Sequence, residues 1–292
     1  MDPTYPADLH HLRVVHPSVK LTLEHLPPTP FLMDALRSQM SLLGHLEPET
    51  SKDPFLVIDR VLSSLASMLL YWDHFQTKHR RIELATQSQT LPGHILELIL
   101  QRVPTPEESA CIQASMILYA EHDFNASTFT VRTIASTLSD YYSAICGGIG
   151  ALRGPLHGGA NEAALELILS FATPEAAEKG IMEKLKHKQL VMGFGHRVYT
   201  TRDPRSKIIE KWAEKLAQTP EQKQQLAIAR QMDATMKREK NSSPISIFIA
   251  RLPTILWAFL TSSSPLFLSS LVLPVGPRIY SSKENTTKSS VL

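Results

Sequence analysis

The chain has 292 residues, 43% of them hydrophobic, which is enough to bury one large core or a large domain with a smaller one beside it. Lysine and arginine number 30 against 28 aspartates and glutamates. The strongly basic surface of a nucleic-acid-binding protein is therefore absent, and no nucleic-acid partner is expected. The two cysteines, Cys111 and Cys146, are too few for a disulfide framework or a cysteine metal cluster, which favours a reducing compartment.

The amino-terminal segment has neither the apolar core of a secretory signal nor the Arg- and Ser-rich pattern of a transit peptide. A cytoplasmic location is therefore favoured, while the mitochondrion and the peroxisome stay open. Residues 1–30 contain six prolines and predict an extended, poorly ordered lead.

Helical periodicity begins at Phe31, and Gly44 stands where the C-cap of that first helix is expected. The stretch after Pro54 is apolar on all sides, which predicts a buried helix rather than a surface one. Further helices are predicted over 93–103, 107–121, 128–150, 161–171, 174–187, 205–217 and 219–240. Thr173 is the expected N-cap of the fifth of these. Only residues 189–192 have a strand-like character, so the predicted fold class is all-α.

Three of the histidines between positions 120 and 210 lie in polar or glycine-rich settings that are unusual for a helical core. His122 follows an apolar helix in the stretch LYAEHDFNAS (118–127), where Asn125 or Ser127 could cap the next helix. On these residues alone, a plain corner between two helices with a solvated imidazole is the favoured interpretation.

His157 lies next to glycine in GPLHGGAN (154–161), a sequence that suits a backbone passing close to a ligand or adopting positive φ. The same stretch precedes a helix, whose first N–H groups can face an anion or a polarised carbonyl. A glycine-rich turn with an incidental histidine is the competing interpretation, and these residues do not separate the two.

His196 follows two glycines in GFGHRV (193–198), and Arg197 and Arg205 nearby supply forked donors for a carboxylate or a phosphate. The Gly-Lys-Ser/Thr ending of a phosphate-binding P-loop is missing. The three histidines together indicate a site for an anionic substrate, with imidazoles as acids or hydrogen-bond donors. No metal site is expected, because cysteine or carboxylate ligands are not grouped with them.

Two stretches carry a resemblance to a known family. GALRGPLHGGANEAA (150–164) and VMGFGHRVYTTRDPR (191–205) resemble the signature segments of citrate synthases. The segments LYAEHDFNASTFT (118–130) and TLSDYYSAICGGIGALRGP (137–155) look closest to the branch of methylcitrate and alkylcitrate synthases. The resemblance extends over residues 31–240.

For the fold, the resemblance implies an all-α, citrate synthase-like homodimer. A large helical domain, whose amino-terminal part is 31–158, and a smaller helical domain, 159–241, would close over a cleft between them. Such enzymes condense an acyl-CoA with oxaloacetate to a citrate-type tricarboxylate and release CoA. These two small molecules would be the partners, with acyl-CoA as a co-substrate and no bound cofactor. The product would be 2-methylcitrate or a longer alkylcitrate.

The family's residue roles carry over position by position. His157 would donate a hydrogen bond to the thioester carbonyl, and His196 would polarise the ketone of oxaloacetate. His122 and Arg205 would bind oxaloacetate. The backbone of the second signature segment would lie against CoA, at Val191, Gly193 and Gly195.

Residues 242–292 depart from the family pattern. They contain twelve serines, five prolines and one acidic residue, and the Asp that would remove the α-proton is missing, with the later arginines and the closing segment of citrate synthases. Codons compatible with this tail, when read from each codon's third base, can spell LDFYCASAYHFMGIP, FFTPLF, TGWA and HNKIIRP in that order. Those strings are the missing family segments. The tail is therefore interpreted as the product of a shifted reading frame that begins near Ser242.

Two alternatives follow from this tail. The chain could be a catalytically impaired paralogue that lacks the Asp base and at most binds a substrate or dimerises. Residues 252–275 are also 24 residues without a charge, which is long enough to span a membrane. Three prolines and five serines make that second interpretation much weaker, and no membrane partner is expected.

Overall fold

The structure, a computed structural model, describes residues 9–28, 32–51, 53–120, 124–155, 157–194 and 203–240. Within these ranges the chain forms one 3-10 helix, His10–Arg13, and eleven α-helices, and no β-strand. The α-helices in chain order are α1 (Pro17–His25), α2 (Leu32–Leu46), α3 (Pro54–Lys78), α4 (Leu91–Leu100), α5 (Pro106–Tyr119), α6 (Ala126–Ser136), α7 (Tyr141–Leu152), α8 (Gly159–Leu169), α9 (Pro174–Lys186), α10 (Arg205–Leu216) and α11 (Pro220–Lys240).

Helix α3 is 25 residues long and buried over most of its length, as its composition predicts. Asp53 caps it by accepting a hydrogen bond from the Phe55 N–H (3.0 Å), and Pro54 occupies the first turn. Helices α1, α2, α4 and α7 pack against it. Among the described helices α3 alone has the length and hydropathy of a membrane span. However, 78% of that apolar window is buried inside the structure, as in the core helix of a folded domain.

The described residues divide into two compact units. The first unit comprises residues 9–105 and 119–154, and in it α7 packs against both α2 and α6. The second comprises residues 106–118 and 155–240, and in it α11 packs against α8, α9 and α10.

Helix α5 belongs to the second unit although it precedes two helices of the first along the chain. Two polar contacts tie it there. Glu107 lies 3.8 Å from the Lys215 ammonium, and the Leu118 carbonyl accepts a hydrogen bond from Arg205. In this respect the compact units differ from the predicted domain limits, which keep α5 within 31–158.

Within residues 9–28, His10–Arg13 and Pro17–His25 are helical where the prolines predict an extended lead. Pro17 occupies the first turn of α1, a position that suits proline because that turn's N–H groups have no partner within the helix. Val19 and Leu23 are fully buried. The prediction of a poorly ordered lead over 1–30 is therefore wrong for these residues, since the apolar face of α1 docks into the core.

Helix α2 continues past Gly44 to Leu46, so the predicted C-cap at Gly44 is wrong. A Cβ on Gly44 would lie 2.7 Å from the Tyr142 Cβ, closer than real Cβ atoms come to another heavy atom. The glycine therefore allows α2 and α7 to approach closely, and it does not end a helix.

The segment predicted as a single helix over 128–150 forms two helices, α6 and α7. Leu138, between them, has a left-handed backbone with φ of 63°. Asp140 then caps α7 by accepting a hydrogen bond from the Ser143 N–H (2.9 Å). The strand-like residues 189–192 form no strand.

Candidate active site

Four of the seven predicted site residues lie within the described ranges, and all four belong to the second unit: His157, Val191, Gly193 and Arg205. The other three lie outside the described residues, so their roles stay predictions: His122, Gly195 and His196.

The helix that follows the His122 stretch begins at Ala126, two residues before the predicted start at 128. The Asn125 carboxamide oxygen accepts hydrogen bonds from the Thr128 N–H (3.0 Å) and from the Ser127 hydroxyl (2.8 Å). Asn125 is therefore the N-cap of α6, and Ser127 supports it. This capping fixes where α6 begins, at Ala126, four residues after position 122.

Arg205 begins α10, and one edge of its guanidinium is bound to Asp203. The Nε–H donates to both carboxylate oxygens of Asp203, at 3.0 and 3.2 Å, and Nη2 donates to Oδ2 at 2.7 Å. Asp203 is 1% exposed, and the Arg205 side chain is 14% exposed. Forked arginine–carboxylate pairs of this kind are strong and geometrically rigid, so the orientation of the guanidinium is fixed.

Asp203 also holds the first turn of α10. Its Oδ1 accepts a hydrogen bond from the Arg205 N–H (3.0 Å), and its carbonyl accepts from the N–H (3.2 Å) and the hydroxyl (2.7 Å) of Ser206. Ser206 is fully buried. On the opposite side, the Arg205 Nη1 donates to the Leu118 carbonyl in the last turn of α5 (3.4 Å). The arginine is thereby connected to two helices of the second unit.

His157 is half-buried and lies two residues before α8. Burial lowers the pKa of its imidazole below the ordinary value of 6.5, so the ring is neutral at neutral pH. Gly158, the N-cap residue of α8, supplies no side-chain cap. His157 thus precedes the positive end of the α8 dipole by two residues in the chain, and its neutral imidazole has one N–H donor.

Residues 191–194 are the described part of the second signature segment. Val191 is 4% exposed and Phe194 is 7% exposed, so both side chains are committed to the core. Gly193 between them has φ of 91°, which favours glycine. The role of the Val191 and Gly193 backbone against CoA stays a prediction.

Asp203 and Ser206, which the structure places around Arg205, have no role predicted from the sequence. The pattern that could have indicated them lies in the neighbouring residues. An Asp-Pro pair followed at once by Arg and Ser, directly before a predicted helix, has the composition of a helix start with a charged partner for the arginine. Across the described ranges, no group of three or more His, Cys, Asp or Glu side chains is arranged to bind a metal.

A family model for the carboxy-terminal domain of citrate synthase matches residues 3–252. The chain is 44% identical over 214 residues to the 2-methylcitrate synthase of Shewanella oneidensis, covering 73% of this chain and 57% of that protein. It is 35% identical over 217 residues to the citrate synthase of Deinococcus radiodurans, with the same coverage of 73% and 57%. The chain therefore spans little more than half the length of these curated relatives.

Solved structures of citrate synthases have the same fold. One is the ternary complex of the Thermoplasma acidophilum enzyme with carboxymethyl coenzyme A and oxaloacetate. It superposes with a TM-score of 0.81 at 24% identity, over 96% of this chain and 75% of that one. The Thermotoga maritima enzyme gives a TM-score of 0.78 at 26% identity, over 98% and 76% of the two chains. The all-α, citrate synthase-like fold is thus confirmed, and the chain belongs to the citrate synthase family.

Proposed function

We propose that the chain acts as an acyltransferase that condenses an acyl-CoA with oxaloacetate to a citrate-type tricarboxylate and releases CoA. The observation that carries this proposal is the arrangement of Arg205 in a family member. Its guanidinium is held by the buried Asp203 carboxylate at 2.7 to 3.2 Å, and it lies in the same compact unit as the neutral His157. A fixed cation for a dicarboxylate and a neutral hydrogen-bond donor for a thioester are two of the groups that this condensation requires.

The neutral state of His157 matters for the first chemical step. Removal of a proton α to the thioester places negative charge on the carbonyl oxygen, and an N–H donor aimed at that oxygen stabilises it. A neutral imidazole retains one N–H with which to donate this hydrogen bond. His196 would polarise the ketone of oxaloacetate in the same manner, and His122 would help Arg205 to bind it. Together these groups would align the two carbon atoms that become bonded.

The acyl group is proposed to be propionyl, which gives 2-methylcitrate. Support comes from two relatives of that name, the Shewanella oneidensis enzyme at 44% identity and the Corynebacterium glutamicum 2-methylcitrate synthase 2 at 38% identity over 203 residues. A longer acyl-CoA, which would give an alkylcitrate, is the alternative substrate.

A second candidate function rests on the composition of the tail. No aspartate occurs after Asp233, so the chain as written lacks the residue that would accept the α-proton. A positioned base contributes roughly 10²- to 10⁴-fold to such a step. A chain without it would at most bind oxaloacetate or form a dimer.

Release of free CoA from a panel of acyl-CoAs with oxaloacetate distinguishes these functions. Propionyl-CoA is expected to give the fastest release in a catalytic chain. If the purified chain releases no CoA but a version with the restored frame after Lys240 does, the impaired form is the correct description. If neither releases CoA from any acyl-CoA, the proposed acyltransferase function is wrong.

Assembly and location complete the proposal. The family resemblance supports a homodimer, which sedimentation equilibrium would reveal as twice the chain mass of 32.6 kDa. A monomer at micromolar concentration would contradict it.

The cytoplasm is the proposed compartment, and imaging of the tagged protein tests it against the mitochondrion and the peroxisome.

A further inference from the structure

Lys188 has a left-handed backbone just after the carboxy end of α9, with φ of 54°. Helix α9 ends at Lys186, and the chain then turns back on it through two hydrogen bonds. The Gln189 N–H donates to the Lys184 carbonyl (2.8 Å), and the Lys188 N–H donates to the Leu185 carbonyl (3.0 Å). These two bonds define a Schellman motif, in which the residue at the position of Lys188 is usually glycine.

A lysine at this position is less stable than a glycine, because its Cβ crowds the backbone in the left-handed region. Backbone strain of this kind is found where the side chain has a function. Lys184 and Lys186 need no such function, since the helix dipole favours cations in the last turn. The dipole does not account for the strained backbone of Lys188, because the two lysines before it already supply the favoured charge.

The ammonium groups of Lys184, Lys186 and Lys188 are open to a ligand. Lys186 and Lys188 are exposed, and Lys184 is half-buried. Within the part of the chain that the structure describes, none of the three ammonium groups forms a hydrogen bond or an ion pair. The neighbouring acidic residue, Glu183, lies 3.2 Å from the His187 imidazole. This turn therefore carries an excess of positive charge.

The positive turn directly precedes the residues whose backbone is predicted to lie against CoA. Lys188 and Val191 are three residues apart, so their Cα atoms are separated by at most about 10 Å. Between them Leu190 is 71% exposed, while Val191 is 4% exposed. The chain thus passes from a cationic surface into the second signature segment within a few residues, and a ligand that lies along that segment comes within reach of the lysines.

We propose that Lys188, with Lys184 and Lys186 beside it, binds the 3′-phosphate of CoA. This inference rests on the proposed function, since it takes acyl-CoA as the ligand of Val191 and Gly193. A phosphate monoester carries a charge of about −1.5 to −2 at pH 7, and each lysine offers it a point charge with three N–H donors. The two hydrogen bonds of the Schellman motif hold the backbones of Lys184 and Lys188 in a fixed relation.

Calorimetric titration of the full chain with CoA and with dephospho-CoA tests this proposal, because the two ligands differ only in the 3′-phosphate. The parent is expected to bind CoA about tenfold more tightly, in the range of one charge-assisted hydrogen bond. Lys188→Gly should bind CoA about as weakly as the parent binds dephospho-CoA. Its affinity for dephospho-CoA should stay within about twofold of the parent.

The same variant separates binding from folding. Glycine relieves the left-handed strain, so Lys188→Gly should unfold at a higher urea concentration than the parent while it binds CoA more weakly. A lysine with a purely structural role would not move affinity and stability in opposite directions. Lys188→Arg retains the charge and should keep the preference for CoA over dephospho-CoA.

Lys179→Gln is the matched control, since it removes one exposed lysine from the first half of the same helix. Its affinity for CoA should stay within about twofold of the parent. A loss in this control as large as that in Lys188→Gly would assign the effect to the overall charge of α9 and overturn the proposal.

The remaining outcomes separate this inference from the proposed function. Equal affinity of the parent for the two ligands overturns the inference. An equal loss for both ligands in Lys188→Gly also overturns it, because the lysine would then bind the diphosphate. If the parent binds neither ligand, the proposed function is wrong and the inference fails with it. If the parent prefers CoA and Lys188→Gly prefers it equally, only the inference is overturned.

Discussion

Gly44 of α2 and Tyr142 of α7 touch where these two helices pack together. A Cβ on Gly44 would lie 2.7 Å from the Tyr142 Cβ and 2.8 Å from its Cγ. Because the Tyr142 Cβ is attached directly to the backbone, no change of rotamer can move it away. The spacing between the two helices therefore depends on the missing side chain.

Gly44→Ala is expected to destabilise the protein by about 1–3 kcal/mol, the usual range for overpacking. This loss would occur although alanine is the better helix former by about 1 kcal/mol. Urea unfolding followed by fluorescence measures the change. Gly150→Ala in α7 is the control, since no heavy atom lies within 4 Å of the added Cβ, and it should be neutral or stabilising. Equal effects of the two substitutions would show that helix spacing is not limited by Gly44.

Stability should fall as the pH drops below neutral because two histidines are buried without charge. His94 is fully buried between the Ser67 hydroxyl (2.9 Å) and the Thr86 hydroxyl (2.8 Å), and burial lowers its pKa to about 3. The pKa of His74 is lowered to about 4 by the same cause. Below the ordinary value of 6.5 the unfolded chain therefore binds protons that the folded chain cannot.

The stability contributed by neutral burial is fully present above pH 6.5 and is lost progressively toward pH 4. Urea midpoints measured at pH 8, 7, 6 and 5 should show little change between the first two and a decline over the rest. His94→Gln is expected to lower stability at pH 8 but to flatten the decline. An unchanged slope in that variant would mean that His94 is not responsible for it.

Thr173 is a predicted helix cap that the structure confirms. Its hydroxyl accepts a hydrogen bond from the Ala176 N–H (3.1 Å) at the start of α9, with Pro174 in the first turn. Thr173→Ala should cost about 1 kcal/mol of unfolding free energy, while Thr173→Ser should retain most of it. The same urea measurement at pH 7 compares the three proteins. A serine variant as unstable as the alanine variant would argue that the methyl group, not the hydroxyl, is what matters.

The interpretation of the tail as a shifted reading frame predicts a change in the transcript and a change in catalysis. Sequencing the transcript across the codons for Lys240 to Ser243 should reveal an insertion, a deletion or an intron boundary.

Restoring the frame should raise the rate of CoA release by about 10²-fold or more, because the restored segment carries the Asp base. An uninterrupted message that encodes Ser-Ser-Pro-Ile, together with full turnover by the present chain, would contradict both.

The sequence predicts the helices well where apolar residues recur with helical spacing, because that pattern directly reflects burial. It predicts α3 as buried and Thr173 as a cap, and both are confirmed; of the two residues it offers as the cap of the helix after His122, Asn125 and Ser127, the structure selects Asn125. It is wrong where local composition competes with packing. Glycine is typical of a helix end, but Gly44 lies inside α2, where the close approach of Tyr142 leaves no room for a Cβ.

In the candidate site, too, the sequence predicts what a local pattern shows and misses what depends on the folded structure. Arg205 could be singled out because it supplies a forked donor close to the glycine-rich His196 stretch and ends the second signature segment. Its buried partner Asp203 was missed, since a carboxylate two residues away shows its role only when the turn is folded. The hydrogen bond from Arg205 to the Leu118 carbonyl joins residues 87 positions apart, and no local pattern encodes it.

The placement of α5 limits how this chain can be divided. The described chain enters the second unit at residue 106 and returns to the first unit at residue 119. It leaves the first unit again after residue 154. A fragment that begins at residue 155 would thus lack the helix that carries Glu107 and Leu118, and with it the partners of Lys215 and of the Arg205 Nη1. A protease cut after residue 154 should accordingly leave two pieces that stay associated under native conditions, because α5 remains covalently attached to the first piece while its partners lie on the second.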